Sequence, residues 1–356
     1  MAASEASRSP PSRPPSWRLP AAPCYTRRMR TLVTGGTGFT GSHLVRRLLA
    51  RGDRVRVLDA APGLFHDELQ RLGTEITLGS VTDRALVDRL VAGADVVFHL
   101  AAAFRKINLP KREYWEVNCQ GTRYVAESCL RHQVHRLVYC STQGVHGHVA
   151  HPPGDESSPI APEDYYQQTK YEGEQALWEV ARGGLQASVL RPMGIYGPGD
   201  PGRFLMLYRA VRRGRFLMFG DGETFYHPCY IDNLVDAFEL AAEHPKAVGE
   251  TYLIGDDRYV SLNELVRTVA ESLGQPVRIV HLPFAPLWAA SALCEVVLMP
   301  LGIEPPLFRR RADWFRQTRA FTIDKAVREL GFVVRVPLAE GLRRTAAWYR
   351  EHGYLR

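Results

Sequence analysis

Short apolar runs alternate with amphipathic stretches over the first two hundred positions. Thr31–Gly41 (TLVTGGTGFTG) opens as a β-branched run, breaks into glycines and feeds an amphipathic segment at His43–Ala50. That pattern predicts a strand, a tight turn and a helix. Arg54–Asp59 (RVRVLD) alternates apolar and polar positions and predicts a second strand, Glu75–Leu78 a third, and Arg84–Val91 a helix. Asp95–Leu100 (DVVFHL) is apolar on both faces, as in a strand buried within a parallel sheet. A helix around Tyr114–His132, a strand at Arg136–Ser141, a helix at Tyr165–Arg182 and a strand at Ala187–Leu190 continue the alternation. Strand and helix in turn predict an α/β fold, a doubly wound parallel sheet with right-handed crossovers.

After Arg191 the pattern loosens. Residues 196–227 are rich in Gly, Arg and Phe, a helix is expected at Asp232–Glu243 and a strand at Glu250–Ile254, and the chain from Val260 onward reads as mainly helical. The expected division is a tail at 1–28, a sheet domain at 29–195 to which 228–255 return, and a smaller, mainly helical C-terminal substrate domain made of 196–227 and 256–356. The latter would cap the C-terminal ends of the strands, where open α/β sheets bind ligands.

Gly35, Gly38 and Gly41 stand three apart, so the first can turn with positive φ, the second admits a pyrophosphate against the backbone, and the third allows close helix packing. The start of the following helix offers free N–H groups and its positive dipole end to an anion. Asp59 closes the second strand near the distance expected of a ribose-binding carboxylate, which accepts from ribose hydroxyls, repels a 2′-phosphate and so favours NAD over NADP.

Charge changes this picture little. The net charge is +7, but residues 1–28 hold five arginines against Glu5 and so contribute +4 of it. The remaining basic residues are scattered, which argues against a nucleic-acid partner. The tail is rich in Pro, Ser, Ala and Arg and is expected to be disordered, as a translational extension before Met29 or, alternatively, an organelle-targeting segment. Six cysteines without a CxxC pair read as reduced thiols in a cytoplasmic protein.

The chemistry resides in YQQTK. Tyr166 and Lys170 lie four apart, on one face of a helix. A nearby ammonium lowers the pKa of a phenol from its usual value of about 10, so the pair can exchange a proton with a substrate hydroxyl. Ser141 and Thr142 close the strand RLVYCST, and either hydroxyl could donate to the substrate oxygen. No GxSxG elbow, HExxH pair or P-loop is present, and His227 has no second close ligand pair, so no metal is expected.

With these residues in hand, the chain from Met29 onward resembles the extended short-chain dehydrogenase/reductases of the NAD-dependent epimerase/dehydratase superfamily. HLAA (His99–Ala102), VNCQGT (Val117–Thr122), RPMGIYGPGD (Arg191–Asp200) and HPCYIDNL (His227–Leu234) carry the resemblance. It implies a Rossmann-type sheet and a catalytic set of Thr142, Tyr166 and Lys170, with Lys170 also on the nicotinamide ribose. It further implies that NAD is lined by Gly35, Gly38, Phe39, Thr40, Gly41, Asp59, Ser80, Val81, Leu100, Ala101, Ala102, Asn118 and Arg191. Ser80 stands where many relatives carry an acid near the adenine.

Within the superfamily the pattern is similar to the 3β-hydroxysteroid dehydrogenase and sterol 4-carboxylate 3-dehydrogenase group. Gly194 replaces the asparagine that holds a nucleotide-sugar in RxxNxYG, and the apolar run Leu282–Gly302, with Pro305-Pro306 and KAxxELG at Lys325–Gly331 beyond it, is similar to that group. The run has two readings, a buried helix of the substrate domain or a peripheral membrane contact through 282–311 backed by Arg309, Arg310 and Arg311. The expectation is an oxidoreductase acting on a small-molecule secondary alcohol. The alternatives are a nucleotide-sugar 4-epimerase or dehydratase, with arginines such as Arg203 and Arg215 on a diphosphate, and a non-catalytic dinucleotide sensor. By resemblance the chain forms a homodimer through the helices around Tyr114–His132 and Tyr165–Arg182.

Overall fold

A computed structural model describes residues 28–104, 109–200, 202–301, 303 and 305–355; the expected tail lies almost wholly outside them. Six strands, β1 (Arg30–Thr34), β2 (Arg54–Asp59), β3 (Glu75–Leu78), β4 (Val96–His99), β5 (Arg136–Cys140) and β6 (Ala187–Pro192), join Thr251–Ile254 in one seven-stranded sheet. All pairs are parallel, and the spatial order is β3-β2-β1-β4-β5-β6 followed by Thr251–Ile254. The sheet is therefore the doubly wound, Rossmann-like one the alternation predicts. The order reverses between β1 and β4, and the glycine turn opens there.

Helices cover both faces. Helix α1 (Phe39–Arg51) and Ile231–Glu243 bury one side, while α3 (Arg84–Val91), α5 (Gly121–Arg131) and α6 (Tyr165–Ala181) bury the other; α2 (His66–Arg71) and α4 (Lys111–Trp115) are short connectors. Every residue of β4 is buried, which explains why DVVFHL has no polar face. Val97 and Phe98 are wholly excluded from water, each stabilising the sheet by about 1.5–3 kcal/mol. The side chains of Asp83 and Asp164 cap α3 and α6, accepting from Leu86 N at 3.0 Å and Gln167 N at 2.8 Å.

Two expected elements differ. The helix around Tyr114–His132 starts earlier, at Lys111, and is interrupted by a π-helical turn at Glu116–Gln120, a local feature that periodicity over a long window averages away. The C-terminal half is helical but also holds paired short strands: Gly194–Tyr196 with Pro228–Tyr230, Phe225–Tyr226 with Val260–Ser261, and Arg215–Phe219 with Arg278–Leu282. Its own core is built from Arg203–Val211, Leu262–Ser272 and Leu338–Glu351, with Tyr208, Val266 and Tyr349 fully buried.

The apolar run forms a helix at Phe284–Leu298 that continues as a 3-10 turn to Leu301. Pro283 stands at its N-cap and Pro286 within its first turn, where no intrahelical donor is lost, so these prolines do not break it. The reading of this run as a buried helix is corrected: only 6% of the residues Phe284–Leu301 are buried, Ser291 being the buried one in the helix, and Leu293 and Val296 are 65% and 71% exposed. Polar sequence neighbours gave no warning of this, because burial depends on what packs opposite.

Candidate active site

The glycine turn follows β1. Gly35 sits at φ +72°, and a Cβ there would lie 2.8 Å from Ala101 N; a Cβ on Gly41 would lie 2.2 Å from the Gly35 carbonyl oxygen. Gly38 differs, since its Cβ direction meets nothing nearer than 3.3 Å and opens to the cleft. Gly38 also caps α1, whose first turn contains no acid and has no side-chain cap, so its N–H groups face the cleft without an intrahelical acceptor.

Asp59 sits beside this turn. Its Oδ2 accepts from Thr37 N at 3.0 Å and Thr37 Oγ1 at 2.7 Å, and its Oδ1 accepts from Ala60 N at 2.9 Å. The carboxylate thus fixes the glycine loop while lining the cleft. Ser80 and Val81 line it too; the Ser80 hydroxyl is 2.7 Å from Thr82 Oγ1 and accepts from Thr82 N, so the position that is often acidic is occupied by a self-contained turn.

The end of β4 is held by a buried relay. Ala101 N donates to Thr34 Oγ1 at 3.2 Å, Thr34 Oγ1 lies 2.7 Å from His99 Nδ1, His99 Nε2 lies 3.0 Å from Thr122 Oγ1, and Thr122 donates to the Asn118 carbonyl at 2.7 Å. Because Thr122 spends its proton on a carbonyl, His99 donates from Nε2 and accepts at Nδ1. Burial, and secondarily the Lys170 charge, push His99 down to about 3, so the ring is neutral as the relay requires.

Two residues assigned to the cofactor do not line the cleft. Asn118 is fully buried on the π-helical turn, where its Oδ1 accepts from Ala103 N at 2.8 Å and its Nδ2 donates to Ala103 O and Thr169 Oγ1. It positions Ala103 at the end of the cleft-lining segment Leu100–Ala102. Arg191 is held by Glu174, through Nε at 3.0 Å and Nη2 at 2.6 Å, and lies 2.9 Å from His146 Nε2. A guanidinium so fully engaged is a strut between β6 and α6, and the segment that reaches the cleft is Pro192–Ile195 just beyond.

The same strut separates the two candidate hydroxyls. Ser141 Oγ donates to Glu174 Oε1 and is buried. Thr142 Oγ1 accepts from Gly144 N at 3.1 Å, which leaves its own proton to point into the cleft. Tyr166, tilted against Phe104 with ring centroids 4.8 Å apart, and Lys170 line the cleft from α6. Lys170 Nζ has no hydrogen-bond partner and sits 4.2 Å from the centroid of the Tyr139 ring. Burial pulls Lys170 down to about 8, opposed by Cys140 and Glu174.

Thr34, Tyr139 and Glu174 were not singled out in the sequence, and His99 only as the start of HLAA. Gly173 is the legible signal for Tyr139: a Cβ there would lie 2.3 Å from Asn118 O and 2.6 Å from the Tyr139 hydroxyl, so only glycine lets α6 approach the π turn.

The glycine turn, Asp59, Thr142, Tyr166 and Lys170 line a cleft of about 620 Å³ that runs from Asp59 past Gly38 and Lys170 to Met193, Tyr226 and Trp314. NAD fits it on this chain's own atoms: uncapped helix N–H groups behind an open glycine, an acid at the end of β2, and a buried ammonium with no partner of its own. Residues 31–255 match the NAD dependent epimerase/dehydratase family. The chain belongs to it.

This family is enzymatic, and NAD is its cofactor. The chain is 34% identical over 347 residues to a 3β-hydroxysteroid-dehydrogenase/decarboxylase of Arabidopsis thaliana, covering 88% of this chain and 78% of that one. It is 33% identical over 334 residues to a 2-alkyl-3-oxoalkanoate reductase of Stenotrophomonas maltophilia, covering 90% and 99%. The fold superposes on a dTDP-glucose 4,6-dehydratase of Streptomyces venezuelae with NAD bound, at TM-score 0.73 and 28% identity, over 92% of this chain and 99% of that one. The resemblance to the steroid group and the NAD cofactor are thus both borne out, and a non-catalytic sensor is not.

Among the remaining expectations, His227 is a buried pocket histidine whose Nε2 lies 2.8 Å from Asp256 O; burial lowers its pKa. No cluster of metal ligands occurs among the described residues. Arg203 lines the cleft, whereas Arg215 is exposed on a strand away from it.

Proposed function

We propose that the protein is a dehydrogenase of a secondary alcohol on an apolar, sterol-like or other alicyclic skeleton. The observation that carries this reading is the convergence of Thr142, Tyr166 and Lys170 on one cleft with the glycine turn. NAD, when bound, supplies the hydride acceptor. Thr142 orients the substrate oxygen by donating its free proton, Tyr166 takes the hydroxyl proton as general base, and the Lys170 ammonium stabilises the phenolate.

The apolar substrate class rests on the walls beyond Tyr166. Met193, Ile195, Tyr226 and Trp314 line that end, and the space a side chain at Gly194 would need is filled, its Cβ falling 1.8 Å from the Tyr226 hydroxyl. An asparagine to hold a nucleotide-sugar has no room there. NADH formation by the purified protein with a panel of 3β-hydroxysteroids tests the reading; interconversion of UDP-sugars without net NADH would replace it with the epimerase reading. Turnover lost in Tyr166→Phe with NAD binding retained would place the acid/base.

We also propose that the protein is cytoplasmic and docks peripherally on anionic membranes through Phe284–Leu301. Arg309, paired with Glu295 at 2.7 Å, and Arg311 stand exposed beside the bare helix, where headgroups would meet them. Sedimentation with phosphatidylserine vesicles but not with phosphatidylcholine vesicles is the expected result. A homodimer through the π-interrupted helix and α6 is the proposed assembly, tested by analytical ultracentrifugation.

A further inference from the structure

Behind the α6 side of the cleft lies an aromatic ring with no part in the chemistry proposed above. Tyr139, on β5, is wholly excluded from water. Its hydroxyl reaches the Asn118 and Lys170 carbonyls only at 3.5 and 3.4 Å, near the limit of a hydrogen bond. Its ring stacks on the His99 imidazole with centroids 5.3 Å apart and planes 21° from parallel. The end of β4, the π-helical turn and α6 thus hold the ring from three sides, and a Cβ on Gly173 would meet its hydroxyl at 2.6 Å. Over the face of this ring, 4.2 Å from its centroid, stands Lys170 Nζ.

An ammonium in that position needs an electrostatic partner. Lys170 is 1% exposed and its Nζ has no hydrogen-bond partner, so burial favours the neutral amine. Glu174, one turn along α6, opposes this, but its carboxylate is engaged by Ser141 and by two nitrogens of Arg191, whose own charge offsets it. Cys140, beside the ring on β5, would help only as a thiolate, and burial pushes that thiol up to about 11. His99 is neutral, and Tyr139 stays a phenol because burial raises its pKa well above the usual value. Tyr166, one turn back on α6, attracts the ammonium only once it has lost its own proton. The remaining partner is the ring face, whose quadrupole attracts a cation most strongly where water is excluded. A ring also holds the charge without accepting a conventional hydrogen bond, so the three N–H groups of the ammonium stay uncommitted.

We propose that Tyr139 is a positioning residue for Lys170: its ring holds the ammonium charged and one helical turn from Tyr166, with the N–H groups left for the ribose hydroxyls of NAD and the Tyr166 phenolate. This rests on the dehydrogenase reading for the role of Tyr166; the hold of the ring on Lys170 follows from the geometry alone. Gly173 and His99 serve the same arrangement. The glycine lets α6 bring Lys170 down onto the ring, and the histidine stacks there as a neutral imidazole, which leaves the ring to one cation.

Titration of Lys170 itself, in the full-length protein without cofactor, tests the contact independently of catalysis. The chain contains five lysines, Lys106, Lys111, Lys170, Lys246 and Lys325, so their ε-carbon magnetic resonance signals can be followed one by one after isotopic labelling, with Lys170→Met assigning the one in question. The expected result is a titration near pH 8 in the wild type, almost unchanged in Tyr139→Phe and about one pH unit lower in Tyr139→Leu. Should Tyr139→Leu not fold, as judged by its thermal melt, progressively fluorinated phenylalanine at position 139 keeps the shape while withdrawing electrons from the face. The titration is then expected to fall stepwise with fluorination, which a ring that serves packing alone would not produce. In the same variants the rise of kcat/KM with pH for alcohol oxidation should move to higher pH, because an uncharged Lys170 no longer holds the phenolate. A Lys170 titration that is the same with leucine, or flat across the fluorinated series, overturns the proposal. A titration that falls while the rate profile stays in place overturns the poising of Tyr166 through the ring. If the titration falls as expected while no alcohol yields NADH, the contact stands and the dehydrogenase reading falls.

Discussion

Lys170 Nζ stands 4.2 Å from the Tyr139 ring centroid with no oxygen to receive its protons. A base whose folded pKa is pulled from 10.5 to about 8 destabilises the fold below pH 8, and the cost is relieved as pH rises from about 8 towards 10.5. The apoprotein should therefore gain stability over that window. Lys170→Met should be at least as stable as wild type at pH 7, lose that alkaline gain, and turn over about 10²- to 10⁴-fold more slowly. Thermal melts at several pH values with parallel rate measurements check all three.

Neighbouring hydroxyls should separate cleanly. Thr142→Ala removes the proton aimed into the cleft and should lower kcat about 100-fold, with Thr142→Ser restoring most of it. Ser141→Ala instead takes a donor from Glu174, so it should cost about 1–2 kcal/mol in denaturant unfolding while leaving kcat within a few-fold.

Asp59 holds the glycine loop and lines the cleft, so its loss is expected to act on both loop and cofactor. Asp59→Ala should weaken NAD binding about tenfold or more and narrow the preference for NAD over NADP, and it should make the glycine loop easier to cleave because Thr37 loses its acceptor. Cofactor titrations and limited proteolysis measure these separately.

Asp256 links the two halves: its Oδ1 accepts from Tyr230 N at 2.8 Å and Asn233 Nδ2 at 3.0 Å, and its Oδ2 accepts from the Tyr196 hydroxyl at 3.1 Å. Burial raises its pKa from 3.8 to about 6, so the fold favours the protonated acid, and stability is lost as pH rises from about 4 through 6. Asp256→Asn keeps both acceptor bonds at one oxygen and can donate to Tyr196. Its unfolding free energy should be flatter across that window and higher than wild type at pH 7.

The sheet was legible because short apolar or alternating runs take turns with amphipathic stretches, with β4 apolar on both faces, and the glycine turn because each of its three glycines answers to a separate steric demand. Thr142, Tyr166 and Lys170 were legible from spacing and resemblance. Asn118 and Arg191, assigned to the cofactor by resemblance, lie behind the cleft wall, because a motif does not distinguish a group that faces the cleft from one that holds its neighbour. Asn118 pins Ala103, and Arg191 pins Glu174 and with it Ser141. Arg319 and Trp314, which also line the cleft, were invisible, since nothing within their own segment tells that it returns to pair with Tyr226.

The order of synthesis is not the order of the sheet. β6 ends at Pro192, but its outer neighbour, Thr251–Ile254, is made nearly sixty residues later, and Arg319 later still. A growing chain thus completes the glycine turn and the α6 pair while β6 is still a bare, apolar edge, open to pairing with another chain. Early occupation by NAD would hold that half together through the exposed interval, so cofactor supply during translation should govern how much protein reaches the folded state as well as how fast the finished enzyme works.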